Sequence, residues 1–212
     1  VYAAEEPGTL IKPVEDVAAF RDLLDDPRKN AVLVGPGAGL TKATAEKVLA
    51  ALASEKAVVI DADGLSIFAD ASETLIEAIT GPCLLTPHEG EFKRLFSVDG
   101  DKPTRARAAA KLTGAVVLLK GADTVIAEKE GRAVINASGT PDLATAGSGD
   151  VLAGMALGLM TQGMDSFDAG CAAAWLHGAL AEDIGPGLIA EDLPAKLPGI
   201  LRQLRFTADT KP

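Results

Sequence analysis

The sequence predicts a three-layer α/β/α fold with a mainly parallel central sheet and an antiparallel hairpin at one edge. Two patterns carry this expectation. Short β-branched runs alternate with helix-length crossovers through the first 120 residues, which is how βαβ units read. After them come two strand-like runs around a glycine turn, and then a last third that is helical throughout.

Ala31–Gly35, Ala57–Asp61, Cys83–Thr86 and Ala115–Lys120 lack period-2 alternation, so each reads as a strand buried on both faces of a parallel sheet. Between them, Lys42–Ser54, Ser72–Ile79, Glu89–Phe96 and Thr104–Thr113 read as helices. Thr124–Glu128 and Arg132–Ala137, joined by Lys129-Glu130-Gly131, form the predicted edge hairpin. Asp150–Gln162, Asp165–Ile184 and Ile189 to about Arg205 complete the helices, with Gly163 and Gly185 at C-cap positions.

With 212 residues, 48% hydrophobic and 24% charged, the chain can bury one substantial core. One domain spanning residues 1–212 is expected, since no linker-like stretch divides the sequence. The net charge of −10 and the lack of a Lys/Arg stripe exclude nucleic acid as the main partner. No apolar run reaches the roughly 18 residues of a membrane span. Cys83 and Cys171 sit in apolar runs and read as core thiols in a reducing compartment, the cytoplasm. The opening residue is Val1, and no signal-peptide pattern follows. The expectation is a chain that lacks its N-terminal segment.

In a parallel sheet, ligands bind where strands deliver their carboxyl ends, and each predicted strand here ends unusually. The first runs into Gly35-Pro36-Gly37-Ala38-Gly39, a backbone-exposing turn with the spacing of neither a dinucleotide fingerprint nor a P-loop. It reads equally as a plain turn or a ligand loop. The second ends Asp61-Ala62-Asp63, where strand alternation puts both acids on one side. Asp63 reads as a cap, whereas Asp61 is open between capping and a role toward a magnesium-associated water or substrate hydroxyl. The third ends in TPHEGEFKR, with His88 at a helix start; a zinc motif is excluded because no second His follows at i+4. The fourth ends Lys120-Gly121-Ala122-Asp123-Thr124, where a lysine can reach a nucleotide phosphate or stay solvated. His177, in AAAWLHGALA, reads as a core or interface histidine, and Trp175 as packing.

The run from Gly139 to Gly154, GTPDLATAGSGDVLAG, says most about chemistry. Gly147, Ser148 and Gly149 let backbone approach a ligand and aim N–H groups at one point, and the following helix start adds unpartnered amides that attract anionic oxygen. An acid beside such a hollow, Asp150, repels a merely bound anion. It makes sense as a base that takes a hydroxyl proton while the hollow stabilises a phosphoryl group in transit. The competing reading is an ordinary N-cap.

Five segments in order, NAVLVGPGAGL, VVIDADGL, LLTPHEGEFKRLF, LKGADTV and GTPDLATAGSGDVLAG, resemble the ribokinase-like superfamily. Within it they are most similar to the ADP/ATP-dependent NAD(P)H-hydrate dehydratases, whose catalytic domain is also the C-terminal half of bifunctional repair enzymes. The resemblance runs from about Asn30 to Leu204 and implies a ribokinase-like fold. It implies that Gly39, His88, Glu89, Gly90, Glu91, Phe92, Lys93, Arg94 and Asp150 contact the hydrated nicotinamide nucleotide. Lys120, Gly121, Ala122, Asp123, Thr124, Thr140, Pro141, Asp142, Leu143, Ala144, Thr145, Ala146, Gly147, Ser148 and Gly149 would bind ADP or ATP. The implied reaction restores NADH or NADPH from the 6-hydroxylated form: phosphorylation of the hydroxyl, with Asp150 as base and Mg2+ on the nucleotide phosphates, then elimination of phosphate. No residue here is implied as a direct metal ligand. Bacterial members of that family typically use ADP and eukaryotic ones ATP; the Ala-rich, aromatic-poor composition points to a bacterial source, so the resemblance implies ADP as co-substrate.

A glycine- and alanine-rich opening segment of the family has no match here, and an epimerase domain ahead of Val1 fits the bifunctional members. The apolar faces of the last third read as the contact of a homo-oligomer or as core. Two other functions share parts of this pattern. One is a kinase of the same superfamily acting on a hydroxymethylpyrimidine or thiazole alcohol. The other is a nucleotide-sensing module, which the acid at Asp150 disfavours.

Overall fold

The computed structural model describes residues 8–209. The expectation about the chain's opening falls in part on residues 1–7, which lie outside the described residues. Six strands form one sheet in the order β1 to β6: Ala31–Val34, Ala57–Ile60, Cys83–Leu85, Val116–Leu119, Val125–Ala127 and Ala133–Ile135. The first four are parallel, and β5 and β6 are antiparallel to their neighbours, as the sequence pattern predicts.

The helices between the parallel strands are α2 (Lys42–Leu52), α3 (Asp63–Ser66), α4 (Ser72–Ala78), α5 (Glu89–Leu95) and α6 (Lys102–Thr113). Strands that add one beside the next through right-handed crossovers place their helices on the same face. The opposite face is therefore left to the end of the chain: α7 (Ser148–Thr161), α8 (Ser166–Ile184) and α9 (Asp192–Asp209). The strands divide their side chains accordingly. Val58, Ile60, Leu85, Val117 and Leu119 pack under the crossover helices, whereas Val59, Leu84, Leu118 and Ile126 pack under α7–α9. Both faces of β2 to β4 are buried, which is why those runs lack alternation.

Four details depart from the sequence reading. β1 is buried on both faces only at Val34, because it has a strand neighbour on one side alone. A further helix, α1 (Val17–Leu24), packs on α2; its Asp16 N-cap accepts from the Ala19 N–H at 2.8 Å. The helix α6 begins two residues early, with Asp101 as N-cap and Pro103 in its first turn. The helix α7 also begins two residues early, at Ser148, and this moves Asp150 from the helix start to the third helical position.

Candidate active site

The carboxyl ends of β1 to β4 open onto one rim, and the loops there are tied together by close backbone approach. Gly35 has φ 141°, and a Cβ on it would overlap the Asp61 carbonyl oxygen. Gly64 is held as tightly, with a Cβ position 2.7 Å from the Val34 carbonyl oxygen. The exits of β1 and β2 therefore interlock. Asp63 completes the junction by accepting the Gly39 N–H at 2.8 Å, while the Thr44 hydroxyl donates to the Ala38 carbonyl at 3.0 Å. Asp63 is thus a cap on the glycine turn.

Asp61 goes the other way. Its side chain is buried, and Oδ1 receives the Lys120 ammonium at 2.6 Å across the sheet, while Oδ2 has no partner. Lys120 in turn lies under the first turn of α7, since a Cβ on Gly149 would come within 3.4 Å of Nζ. Asp150 projects from that same turn and is exposed. Desolvation first, then the negative charge of Asp61, raises its pKa above the ordinary aspartate value; Lys120 pulls in the opposite direction and Asp63 adds a smaller upward push. A carboxylate with raised pKa beside a lysine and a helix N-terminus is suited to accept a proton from a hydroxyl.

The N-cap of α7 is Gly147 at φ 81°, a conformation that favours glycine, and no side chain caps the helix. Its first-turn amides are left for a ligand. The adjacent cleft holds about 680 Å³. Its walls include His88, Lys120, Gly121, Ala122, Thr124, Thr140, Pro141, Leu143, Ala144, Thr145, Ser148 and Gly149, so two loops distant in sequence share one cavity. The other residues of those loops turn to partners elsewhere. Asp123 pairs with Lys102 at 2.9 Å, and Asp142 accepts the Thr140 hydroxyl at 2.9 Å. Ala146 and Gly147 carry the backbone into α7.

The loop after β3 is organised by His88. Its Nδ1 accepts the N–H groups of Gly90 and Glu91 at 2.9 and 3.2 Å, and Glu91 returns the bond to the His88 N–H at 2.8 Å. This is a capping box with histidine in the serine position. The rest of that segment divides by depth. Phe92 is 1% exposed and lies against Phe96 with ring centroids 5.0 Å apart, so its side chain belongs to the core. Glu89 is held by both Arg105 guanidinium nitrogens at 2.9 Å, which keeps its carboxyl below the usual range. Lys93 and Arg94 are exposed.

The sequence assigned no role to the remaining wall, although its Gly139 and Leu152 lie within the glycine-rich run. Asn136, Ser138, Gly139, Leu152, Ala174 and His177 also line the cleft. The hairpin accounts for the first three: β6 runs in the same direction as β4, so its carboxyl end returns to the same rim. His177 was placed in the core by its apolar surroundings. It is indeed 7% exposed, but its Nε2 lies 3.0 Å from the Ser148 hydroxyl at the start of α7. Burial, opposed by a bond to the Ser148 backbone and helped by a smaller push from Lys120, lowers its pKa to about 4 and keeps the imidazole neutral. A histidine in a helix ending the same core as a GSGD turn was the available signal.

The six-stranded sheet with its antiparallel edge and two helical layers is the ribokinase-like architecture. At one rim of that fold, a glycine turn on α7 presents an acid beside a cleft. More narrowly, the model of the NAD(P)H-hydrate dehydratase family matches residues 4–199, and the chain belongs to that family. The chain is 42% identical over 180 residues to the bifunctional NAD(P)H-hydrate repair enzyme Nnr of Salinibacter ruber, covering 81% of this chain and 33% of that one. The ADP-dependent (S)-NAD(P)H-hydrate dehydratase of Neisseria meningitidis is 36% identical, over 94% of this chain and 69% of its own. The crystal structure of the ADP/ATP-dependent NAD(P)H-hydrate dehydratase from Bacillus subtilis, co-crystallised with ATP and Mg2+ and soaked with CoA, superposes with a TM-score of 0.81. It is 29% identical, covering 95% of this chain and 76% of that one. The chain spans about a third of the length of the bifunctional relatives it matches. Among the described residues, no helix is long and apolar enough to cross a membrane.

Proposed function

We propose that this chain catalyses ADP-dependent dehydration of the 6-hydroxylated forms of NADH and NADPH, returning the reduced dinucleotide. The observation that carries the reading is the placement of Asp150. It sits on the amide-rich first turn of α7, with the Asp61–Lys120 pair beneath that turn and the cleft alongside.

The geometry supports a division of labour. The cleft between the loop Lys120–Thr124 and the turn Thr140–Gly149 takes the nucleotide. The amides of α7 and the Lys120 ammonium stabilise charge on the moving phosphoryl group. Asp150 removes the proton from the C6 hydroxyl as its oxygen bonds to the terminal phosphorus of ADP, and AMP departs. The new phosphate ester is a far better leaving group than hydroxide. Lone-pair donation from the reduced ring nitrogen breaks the C–O bond, phosphate leaves, and loss of a ring proton restores the nicotinamide.

Among the described residues, no cluster of three or more His, Cys, Asp or Glu side chains is arranged to hold a metal. Magnesium in this reading arrives on the nucleotide phosphates, whose charge it neutralises. The unpartnered Asp61 Oδ2 is the buried carboxylate oxygen suited to its water shell. The bifunctional repair enzymes among the relatives support fusion to a second domain, an epimerase in this reading, and the free thiols of Cys83 and Cys171 support the cytoplasm. Exposed Val134, Ile135, Met164 and Trp175 on neighbouring β6, α8 and the turn before α8 support a homo-oligomer.

The test is incubation of the full chain with ADP, Mg2+ and NADH hydrate while following the absorbance of reduced nicotinamide. Its recovery together with AMP and phosphate supports the reading. A stable phosphorylated alcohol, formed from hydroxymethylpyrimidine or thiazole alcohol with no activity on the hydrate, replaces it by the kinase reading.

A further inference from the structure

The helix α8 holds both walls of the nucleotide cleft, and it does so through one short face. Its Ala174 and Trp175 carbonyls accept from Asn136 Nδ2 at 3.2 Å and the Ser138 hydroxyl at 3.4 Å. One turn on, Gly178 lies so close to Ser138 and Gly139 that a Cβ there would overlap their backbone. Glu182 then accepts the Gly139 N–H at 2.8 Å. The other wall, the start of α7, is tied to α8 by packing along the two helices and by a side-chain bond, His177 Nε2 to Ser148 Oγ at 3.0 Å, with both residues buried.

Ser148 is the first residue of α7, so this bond acts at the turn whose amides face the cleft. Gly147 and Gly149 flank it, and neither has a side chain that could anchor the turn. Glycine on both sides leaves the turn conformationally permissive, and an ordering contact there has correspondingly more to do. The Ser148 hydroxyl bonds inward to His177, which orients the residue by its side chain while its backbone faces the ligand.

We propose that His177 is a positioning residue for the phosphates of the bound nucleotide: by fixing Ser148 it holds the first-turn amides of α7 in their receiving geometry. The inference rests on the reading that this cleft binds ADP. It assigns His177 no contact with the reacting atoms and no proton to transfer.

The test is calorimetric titration of the full chain with ADP and, separately, with adenosine, in the presence of Mg2+. His177→Phe keeps the ring and removes the bond; Ser148→Ala removes the same bond from the other side, through a residue whose loss leaves α8 intact. Each is expected to weaken ADP binding about tenfold, the upper end for one hydrogen bond, with adenosine affinity unchanged. The losses in the double variant should fall well short of additive, because both single variants delete the Ser148–His177 side-chain bond. His177→Gln, which restores a polar end, should recover most of the loss. Unchanged ADP affinity in both single variants overturns the inference. So does an equal loss for adenosine, or additive losses in the double variant, since either means general packing. Thermal melts separate misfolding of His177→Phe from its effect on affinity, and Ser148→Ala then decides. Failure of the unsubstituted chain to bind ADP overturns the function reading and this inference together; binding by it with indifferent variants overturns this inference alone.

Discussion

Asp61 and Lys120 meet at 2.6 Å across 59 residues of sequence, each from the end of a different strand, and the ammonium lies under the Gly149 backbone next to Asp150. Two buried opposite charges are costly to desolvate and strongly destabilising when one is removed. The pair is therefore a structural commitment as well as an electrostatic setting for Asp150, the proposed base. Asp61 raises the pKa of Asp150 and Lys120 lowers it, so the two members act on the base in opposite senses.

The first prediction separates these senses. Asp61→Asn removes the upward influence and leaves Lys120 unneutralised, so the acid limb of kcat/KM should move to lower pH. Lys120→Met should move it to higher pH. Rate profiles between pH 4 and 8 measure both shifts; a limb that stays put in both variants removes the coupling. Asp61→Asn should also cost about 3 kcal/mol of stability, since it strands a mostly buried ammonium, which denaturant titration reads.

Asp150→Asn should lower kcat at least about 10²-fold, the contribution of a positioned base, while ADP affinity holds or improves because a negative charge has left the phosphate site. Rapid-mixing kinetics with calorimetry check the two quantities together. Full turnover in this variant removes Asp150 from the mechanism.

Gly149→Ala tests the close approach itself. The methyl group would lie 3.4 Å from Lys120 Nζ, at the edge of ordinary van der Waals contact, so it nudges a flexible ammonium and leaves the backbone in place. A helical position tolerates alanine, so the melting temperature should stay within a few degrees while kcat/KM falls about tenfold or more, as for a weakened charge stabiliser. A drop in stability with unchanged kcat/KM would contradict this.

The buried imidazole makes stability depend on pH. His177 titrates near 4 in the fold, against about 6.5 when exposed. The unfolded chain binds the extra proton between those values, so stability is fully present above pH 6.5 and declines as pH falls toward 4. The loss should reach about 3 kcal/mol at pH 4. Lys120 is the charged group acting on this ring, and it pushes in the same direction as burial. His177→Gln should flatten the decline in urea titrations at a series of pH values; an equally steep decline would place its origin in other groups.

How far the site was legible varies residue by residue, with a physical pattern. Lys120, His88 and the turn from Thr140 to Gly149 stand at strand or helix ends, where a glycine or proline beside a polar residue marks a break in the apolar pattern. Local composition exposes such positions. Asn136 carries no such mark, and Ser138, though beside Gly139, reads as part of a hairpin end; what brings both to the cleft is the reversal of β6 relative to β5. His177 was hidden for a different reason: an apolar helix face and a buried wall of a polar cleft look alike when only neighbours in sequence are visible.

The order of strands and helices, the antiparallel edge and the glycine turn bearing Asp150 were determined by the sequence itself, since periodicity, β-branching and glycine placement act over a few residues. Tertiary structure decided the rest: that Asp61 is neutralised by Lys120 while Asp63 caps a turn, that Phe92 faces the core, and that α8 secures both cleft walls. Those outcomes turn on which groups lose water together, and desolvation is settled only when segments far apart in the chain close on one another.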